Sequence, residues 1–471
     1  MNDSPQVKWD LLAWRPLRAA VMSAAFPVVL QAAALAAVVA LAVNGLGIGA
    51  GLKAEELMTL RKTNLTTLVV WGLWWPGMIA IAVLFGRAWC TVCPMELANR
   101  IGDAAARKLG WPRARLGKYL RAGWFVVVLY LTLQLLVAGV SIHRVPHYTA
   151  ILLFVLLGGA LLAGMVFSEP RSFCRAFCPA AALLSVYGRN TPVQLEAKEP
   201  SVCERCPTKD CVRAENRNRF DQRSCPSLLR PFNREPSDGC VLCLQCAKVC
   251  PYGNMGVGLV APGAPVRRKA LLKPFEAAFV MVALGFVAHD TIGEVGWFDG
   301  LFHTVPAKLS VWWSAIGFDW LEALWFLLVF PLAVWLVIAG IGYLLGHCGN
   351  LATLLLAAAT GAAPVIAVAH LAKAAAKMAS WGGFLPLALR GPRGIDALHR
   401  IADHSLSAPA AFIGLSVLGW VTLALVLGMA WKTWRWARQI PADAAVAART
   451  GLAGAAILFG AVLVVWGWPG L

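Results

Sequence analysis

The residues whose types and spacing point most clearly to chemistry are cysteines. The chain has thirteen, and eight of them fall between Cys203 and Cys250. The run Cys240-Val-Leu-Cys243-Leu-Gln-Cys246-Ala-Lys-Val-Cys250-Pro251 has the C-x2-C-x2-C-x3-C-P spacing of iron–sulfur ligation. Three closely spaced thiolates wrap three corners of one cube. The fourth cysteine leaves the turn and reaches a second cluster, and the proline turns the chain away. Zinc motifs use pairs separated by a longer spacer instead. An irregular set precedes this run: Cys203, Cys206 and Cys211, then Cys225-Pro226. Crossover ligation groups Cys203, Cys206, Cys211 and Cys250 as cluster A, and Cys225, Cys240, Cys243 and Cys246 as cluster B. Two 4Fe–4S clusters are the expectation. The alternative is a 3Fe cluster, or none, at the irregular set.

Two further pairs stand at the ends of apolar runs: Trp89-Cys90-Thr-Val-Cys93-Pro94 and Phe173-Cys174-Arg-Ala-Phe-Cys178-Pro179. Each follows an arginine (Arg87, Arg171) and ends in Cys-Pro. Three readings are open for Cys90, Cys93, Cys174 and Cys178. They ligate a third iron–sulfur cluster; they form a dithiol or soft-metal site, since nearby arginine lowers a thiol pKa; or they are structural helix ends. Cys348 stands apart and reads as a buried structural thiol.

The histidines form a second set of candidates. His143 and His147 flank a short loop, and His289-Asp290 and Glu294 close another apolar run, near His303. A histidine beside an acid near a membrane interface can take the proton released by quinol oxidation. His143, His147, His289 and Asp290 are therefore expected to form a quinone site, with an ordinary hydrogen-bonded histidine as the bland alternative. His370 is a candidate axial ligand of haem b, with a partner such as His347.

The elements that must position these groups are apolar. Hydrophobic residues make up 59% of the 471 and charged residues 14%, far fewer charges than in an ordinary soluble domain. Nine segments are long and apolar enough to span a bilayer: about 19–44, 66–86, 120–140, 149–168, 274–290, 321–346, 351–371, 410–431 and 450–468. The expected fold is a mainly α, polytopic membrane protein carrying a small cluster-binding insert at about 195–268. Its sequence order is an N-terminus of 1–18, a four-helix membrane domain at 19–168, a polar segment at 169–273 and a C-terminal membrane domain at 274–471.

Net charge is +18. On an apolar chain this excess fits loops that follow the positive-inside rule rather than a nucleic-acid surface, and no recognition motif accompanies it. The basic loop residues Arg100, Arg107, Lys108, Arg113 and Arg115, the N-terminal Arg15 and Arg18, and the segment 169–273 then share one side, the cytoplasm. The loop 378–408, with Arg390, Arg393 and Arg400, falls on the other side in a nine-helix count. Thiols facing the cytoplasm favour metal over disulfides. The segment Ile292–Trp313, with Trp297, Phe298, Phe302, Trp312 and Trp313, reads as an aromatic helix lying in the interface.

The helix-end Cys-x(2–3)-Cys-Pro motifs, followed by the module Cys203–Pro251, resemble the membrane-bound polyferredoxins of the NapH, NosR and CcoG type. The likeness covers about 66–260. It implies a ferredoxin-like insert on the cytoplasmic face of a bacterial inner membrane. It also implies electron transfer between a quinone pool and an unidentified redox partner. The chain departs from the pattern in three ways. About 18 residues stand ahead of the first apolar run, where NosR-type proteins carry a flavin domain, the chain continues for roughly 200 residues beyond the point where NapH-type proteins end, and its first pair is spaced C-x2-C. The alternative function, suggested by the CcoG likeness, is redox-dependent handling of copper or iron, or metalloenzyme maturation. A transporter or scaffold with a redox-sensing domain is a third.

Overall fold

The computed structural model describes residues 7–232, 239–260, 271–313 and 315–468. The expected end of the insert at 268 lies outside them. The fold is mainly helical, with one small sheet. Eight long apolar helices have the length and composition of membrane spans. We call them α1 (Val28–Gly45), α2 (Leu65–Lys108), α4 (Pro146–Val166), α5 (Pro274–Ile292), α7 (Phe318–Leu344), α8 (Leu351–Arg390), α9 (Leu415–Trp436) and α10 (Ala442–Gly467). A shorter apolar helix, α3 (Trp124–Gly139), stands at the ninth expected position. Helix α6 (Gly296–Trp312) occupies the expected aromatic segment, with Trp297 and Trp312 exposed and Phe302 buried.

Helices are what such sequences must form. Apolar surroundings leave each backbone N–H and C=O to be satisfied inside its own segment. The ends carry local signals. Glu276 accepts the Lys273 N–H at 3.0 Å ahead of Pro274 at the start of α5. Asn350 caps α8 by accepting the Thr353 N–H at 2.9 Å. Two helices widen into a π turn, at Leu68–Trp74 in α2 and Trp325–Val329 in α7. Pro76 and Pro331 follow these turns. A proline cannot donate, and its ring collides with the carbonyl four residues back. That residue is Gly72 or Leu327, inside the widened turn in each case, so the π turn absorbs the collision.

The chain forms two compact units, neither continuous in sequence. One comprises Met1–Val38, Ile81–Gly123 and Val155–Arg268, and the other Val39–Ala80, Trp124–Phe154 and Lys269–Leu471. The first holds the sheet, in the order β1 (Val7–Asp10), β3 (Met255–Val260), β2 (Val193–Ala197), all antiparallel. Leu195 pairs with Val257 and Asp10 with Gly258. The N-terminal segment is thus the third strand of the insert, a pairing that no local sequence signal announces. Asp10 fixes it: its carboxylate accepts the Leu12 and Val257 N–H groups at 3.0 and 3.2 Å and pairs with Lys198 at 3.2 Å. Leu12, Leu195, Val257, Leu244 and Cys246 belong to the small core against which Cys203, Cys211, Cys240 and Cys250 pack.

In the second unit, α8 and α10 touch through small residues. A β-carbon on Gly361 would lie 2.0 Å from the Ala448 carbonyl oxygen, and one on Gly451 2.1 Å from that of Ala358. Small residues let backbones approach this closely where lipid supplies no hydrophobic drive.

Candidate iron–sulfur sites

The insert cysteines line two cavities. Cys203, Cys206, Cys211 and Cys250 face the first, of about 400 Å3 out to its open mouth. Cys225, Cys240, Cys243 and Cys246 face the second, of about 360 Å3. Cys246 borders both. The late cysteine of each motif therefore lies with the other motif's trio, the crossover expected from the spacing. The loops curl tightly to do this. Leu242 and Leu244, between the ligand positions, have φ of 55° and 59°, and Lys209 has 46°. Such left-handed non-glycine residues cost on the order of 1–3 kcal/mol each and cluster at functional sites.

Two donors already point at sulfur. Asn254 Nδ2 lies 3.2 Å from Cys203 Sγ, and the Lys209 N–H donates to Cys206 Sγ at 3.3 Å. Burial pushes the Cys243 thiol up to about 11. Burial and then the neighbouring Cys250 push Cys211 up to about 11. Thiols of this kind are neutral near pH 7 and lose their protons on metal binding.

Among the described residues, no three cysteine sulfurs lie within 4.8 Å of one another. A single tetrahedral zinc, with Zn–S near 2.3 Å, needs sulfurs about 3.8 Å apart. Neither quartet is closed to that spacing around a single ion. All thirteen cysteines are free thiols.

The helix-end cysteines meet in the same unit. The segment of α2 after Cys93, Pro94–Lys108, packs against α4 by close backbone approach. A β-carbon on Gly164 would lie 2.0 Å from the Asn99 carbonyl oxygen, and one on Gly102 2.1 Å from that of Leu161. Asn99 Nδ2 donates to the Ala160 carbonyl at 3.1 Å and to Ser172 Oγ at 3.0 Å. Ser172 opens the short helix Ser172–Ala176, which carries Cys174. Cys93, Cys174 and Cys178 pack in one apolar cluster with Phe173 and Met95, and Cys90 lies within electrostatic reach of Cys178. Burial, then Cys90, pushes Cys178 up to about 11. Burial also pushes Cys174 well up, against the pull of Arg171.

An ion pair clips the two motifs together. Arg171 Nε lies 3.1 Å from Glu96 Oε2, with both side chains no more than 5% exposed. Arg223 Nη2 is 3.8 Å from the other oxygen of Glu96, and Arg171 Nη1 donates to Ser227 Oγ at 2.8 Å. Arg171 senses Cys174, Cys90 and Cys243 at once, and the Thr91 hydroxyl donates to the Val241 carbonyl. The helix-end quartet thus adjoins the second insert cavity. Glu96, Thr91, Asn99 and Arg223 were invisible as site residues in the sequence. Glu96 reads there as a loop acid, and only its place three residues after Cys93 hints at more.

The histidines are distributed differently. His143 Nδ1 lies 3.1 Å from the Val137 carbonyl and its Nε2 accepts from Arg144 at 3.2 Å. Burial, with Lys377, Arg144 and Arg61 nearby, pushes His143 well down. His147 accepts the Gly47 N–H at 3.0 Å. His289 stacks on Phe326, with ring centroids 4.2 Å apart, and lies 5.4 Å from the ring of His303. Asp290 is within electrostatic reach of His370 and Lys377. Of the four residues expected around one quinone, His289 and Asp290 are mutual neighbours, His143 and Asp290 both lie within electrostatic reach of Lys377, and His147 is bonded to Gly47.

The pairing of His370 with His347 is overturned. His347 lies just before Leu351 at the start of α8, bonded to Asp443 at 3.0 Å. His370 lies nineteen residues into that helix, about 28 Å along it at 1.5 Å per residue. Two axial ligands of one iron cannot be so far apart. His370 packs edge-on to Phe286 at 5.4 Å. Cys348 is exposed rather than buried, its thiol 3.4 Å from the Gly346 carbonyl.

The chain matches no known family model, and no solved structure matches it. It is similar to an uncharacterized protein of Methanocaldococcus jannaschii, 29% identical over 184 residues. That stretch is 38% of this chain and 66% of the archaeal protein, just under two thirds of its length.

Proposed function

We propose that this multi-pass membrane protein carries electrons through iron–sulfur clusters. The observation that carries the reading is the sorting of eight cysteines into two cavities, each completed by the other motif's late cysteine. Two 4Fe–4S clusters would be held by Cys203, Cys206, Cys211 and Cys250 and by Cys225, Cys240, Cys243 and Cys246. A third would be held by Cys90, Cys93, Cys174 and Cys178. Each cluster supplies one-electron redox chemistry at a potential set by burial and by hydrogen bonds to sulfur. The chain's own part is to hold the thiolates, to donate to sulfur from Asn254 and the Lys209 N–H, and to balance charge. Arg171, beside both the helix-end quartet and Cys243, offsets the negative charge of the thiolates on either side. The sharing of Cys246 by both cavities and the Thr91–Val241 contact give a continuous order: helix-end quartet, second cavity, first cavity.

The donor on this reading is a quinol of the bacterial inner membrane, whose oxidation releases two electrons and two protons. The insert faces the cytoplasm, where an unidentified redox protein takes the electrons. Proteoliposomes of the anaerobically purified chain test this. Addition of a reduced quinone analogue should bleach the visible iron–sulfur absorbance, as dithionite does. Bleaching by dithionite alone would remove the quinol and keep the clusters, and bleaching by neither would contradict the proposal.

A further inference from the structure

Helices α5, α6 and α7 bring three ligating side chains to one point. One nitrogen each of His289 and His303 and one oxygen of Glu322 all lie within 4.8 Å of one another. His289 Nε2 is 4.0 Å from Glu322 Oε1, and His303 Nε2 is 2.7 Å from the same oxygen. Three donors on a tetrahedral ion at about 2.0–2.1 Å stand roughly 3.3 Å apart, and the two separations bracket that value.

The surroundings prepare the ring nitrogens. His303 Nδ1 faces Asp299 twice, at 2.9 Å to its carbonyl and 3.1 Å to its carboxylate. Those two acceptors hold the proton on Nδ1 and leave the Nε2 lone pair for a metal, the carboxylate–histidine–metal arrangement. His303 Nε2 makes no hydrogen bond of proper geometry despite its closeness to Glu322, and His289 Nδ1 has no partner either. The stack on Phe326 fixes the plane of His289, and the two imidazoles stand at 88° to each other. A divalent ion here is neutralised by Glu322 within the site and Asp299 behind it.

We infer that His289, His303 and Glu322 form a binding site for a divalent transition ion of the zinc class, with the fourth position open. Two imidazoles and a carboxylate suit such ions over magnesium or calcium. The site is separate from the cysteine quartets and does not rest on their iron. Bound metal would pin three successive helices that covalent connection alone leaves joined by short turns.

Zinc is the probe. The full chain, purified anaerobically in detergent, is stripped with a chelator and dialysed against buffered Zn2+; zinc and iron per chain are then counted. Wild type should hold about one zinc ion more than His303→Ala or Glu322→Gln, with iron unchanged. Its zinc edge should show nitrogen and oxygen neighbours near 2.0–2.1 Å rather than sulfur near 2.3 Å. Asp299→Asn, which removes no ligand, should weaken zinc about 10- to 100-fold. A wild-type edge showing sulfur alone overturns the site, and that readout stands even where a variant fails to fold. So does equal zinc in wild type and in variants that fold.

Discussion

At the residue scale, buried groups lose most when their partners change. Glu96 and Arg171 are nearly inaccessible and 3.1 Å apart. Breaking a buried pair leaves an uncompensated charge, at a cost of about 3–5 kcal/mol. Arg171→Leu should therefore destabilise the protein sharply, and thermal melting in detergent should show a large loss. Replacing both residues, by Glu96→Gln with Arg171→Leu, should recover part of it. The thiols give a pH signature. In cluster-free protein the folded Cys178 and Cys243 titrate near 11, above the ordinary 9.0. Their folded pKa values are raised, so their contribution to stability is intact below pH 9 and lost as pH rises toward 11. Denaturation of the cluster-free chain should accordingly become easier over that alkaline window. Serine at Cys178 should flatten part of the slope, and an unchanged slope would show that the thiol is not buried as described.

At the element scale, the helix-end quartet depends on glycine. The contacts at Gly102 and Gly164 leave no room for a β-carbon. Gly164→Val should push α4 away from Pro94–Lys108, so Cys174 and Cys178 part from Cys90 and Cys93. Iron should fall by about one cluster, with the insert retained. A variant with full iron would place the quartet's assembly elsewhere. These elements also show what the sequence makes legible. The nine apolar runs are plain because burying a backbone in lipid demands about twenty apolar residues, and helices stand at all nine positions. The crossover grouping of the cysteines was an expectation from the ferredoxin-type spacing, and the two cavities bring those same cysteines together, with Cys246 bordering both. Glu96 and Asn99 were not readable, because their partners are 75 and 61 residues away. Nor was the role of β1, since a four-residue strand gains its meaning only from the strand it pairs with. The haem pairing fails on a distance the sequence already held, since His347 precedes the apolar run 351–371 and His370 stands near its far end.

At the scale of the whole molecule, two discontinuous units share a chain that threads back and forth between them. The small insert is held by its sheet and by whatever its cysteines bind, since a core of this size supplies little stability alone. Asp10→Ala removes one carboxylate that serves both β3 and Lys198. It should loosen the insert and speed loss of iron to a chelator, although Asp10 lines neither cavity.

The most direct measurement is iron and acid-labile sulfide per chain in anaerobically purified wild type and in the fourfold variant Cys90, Cys93, Cys174 and Cys178→Ser. Wild type should hold about twelve irons and as many sulfides, falling to about eight in the variant. About eight in both would strip the helix-end quartet of its cluster and leave the insert. Fewer than about four in wild type would contradict the central claim that these cysteines hold iron–sulfur clusters.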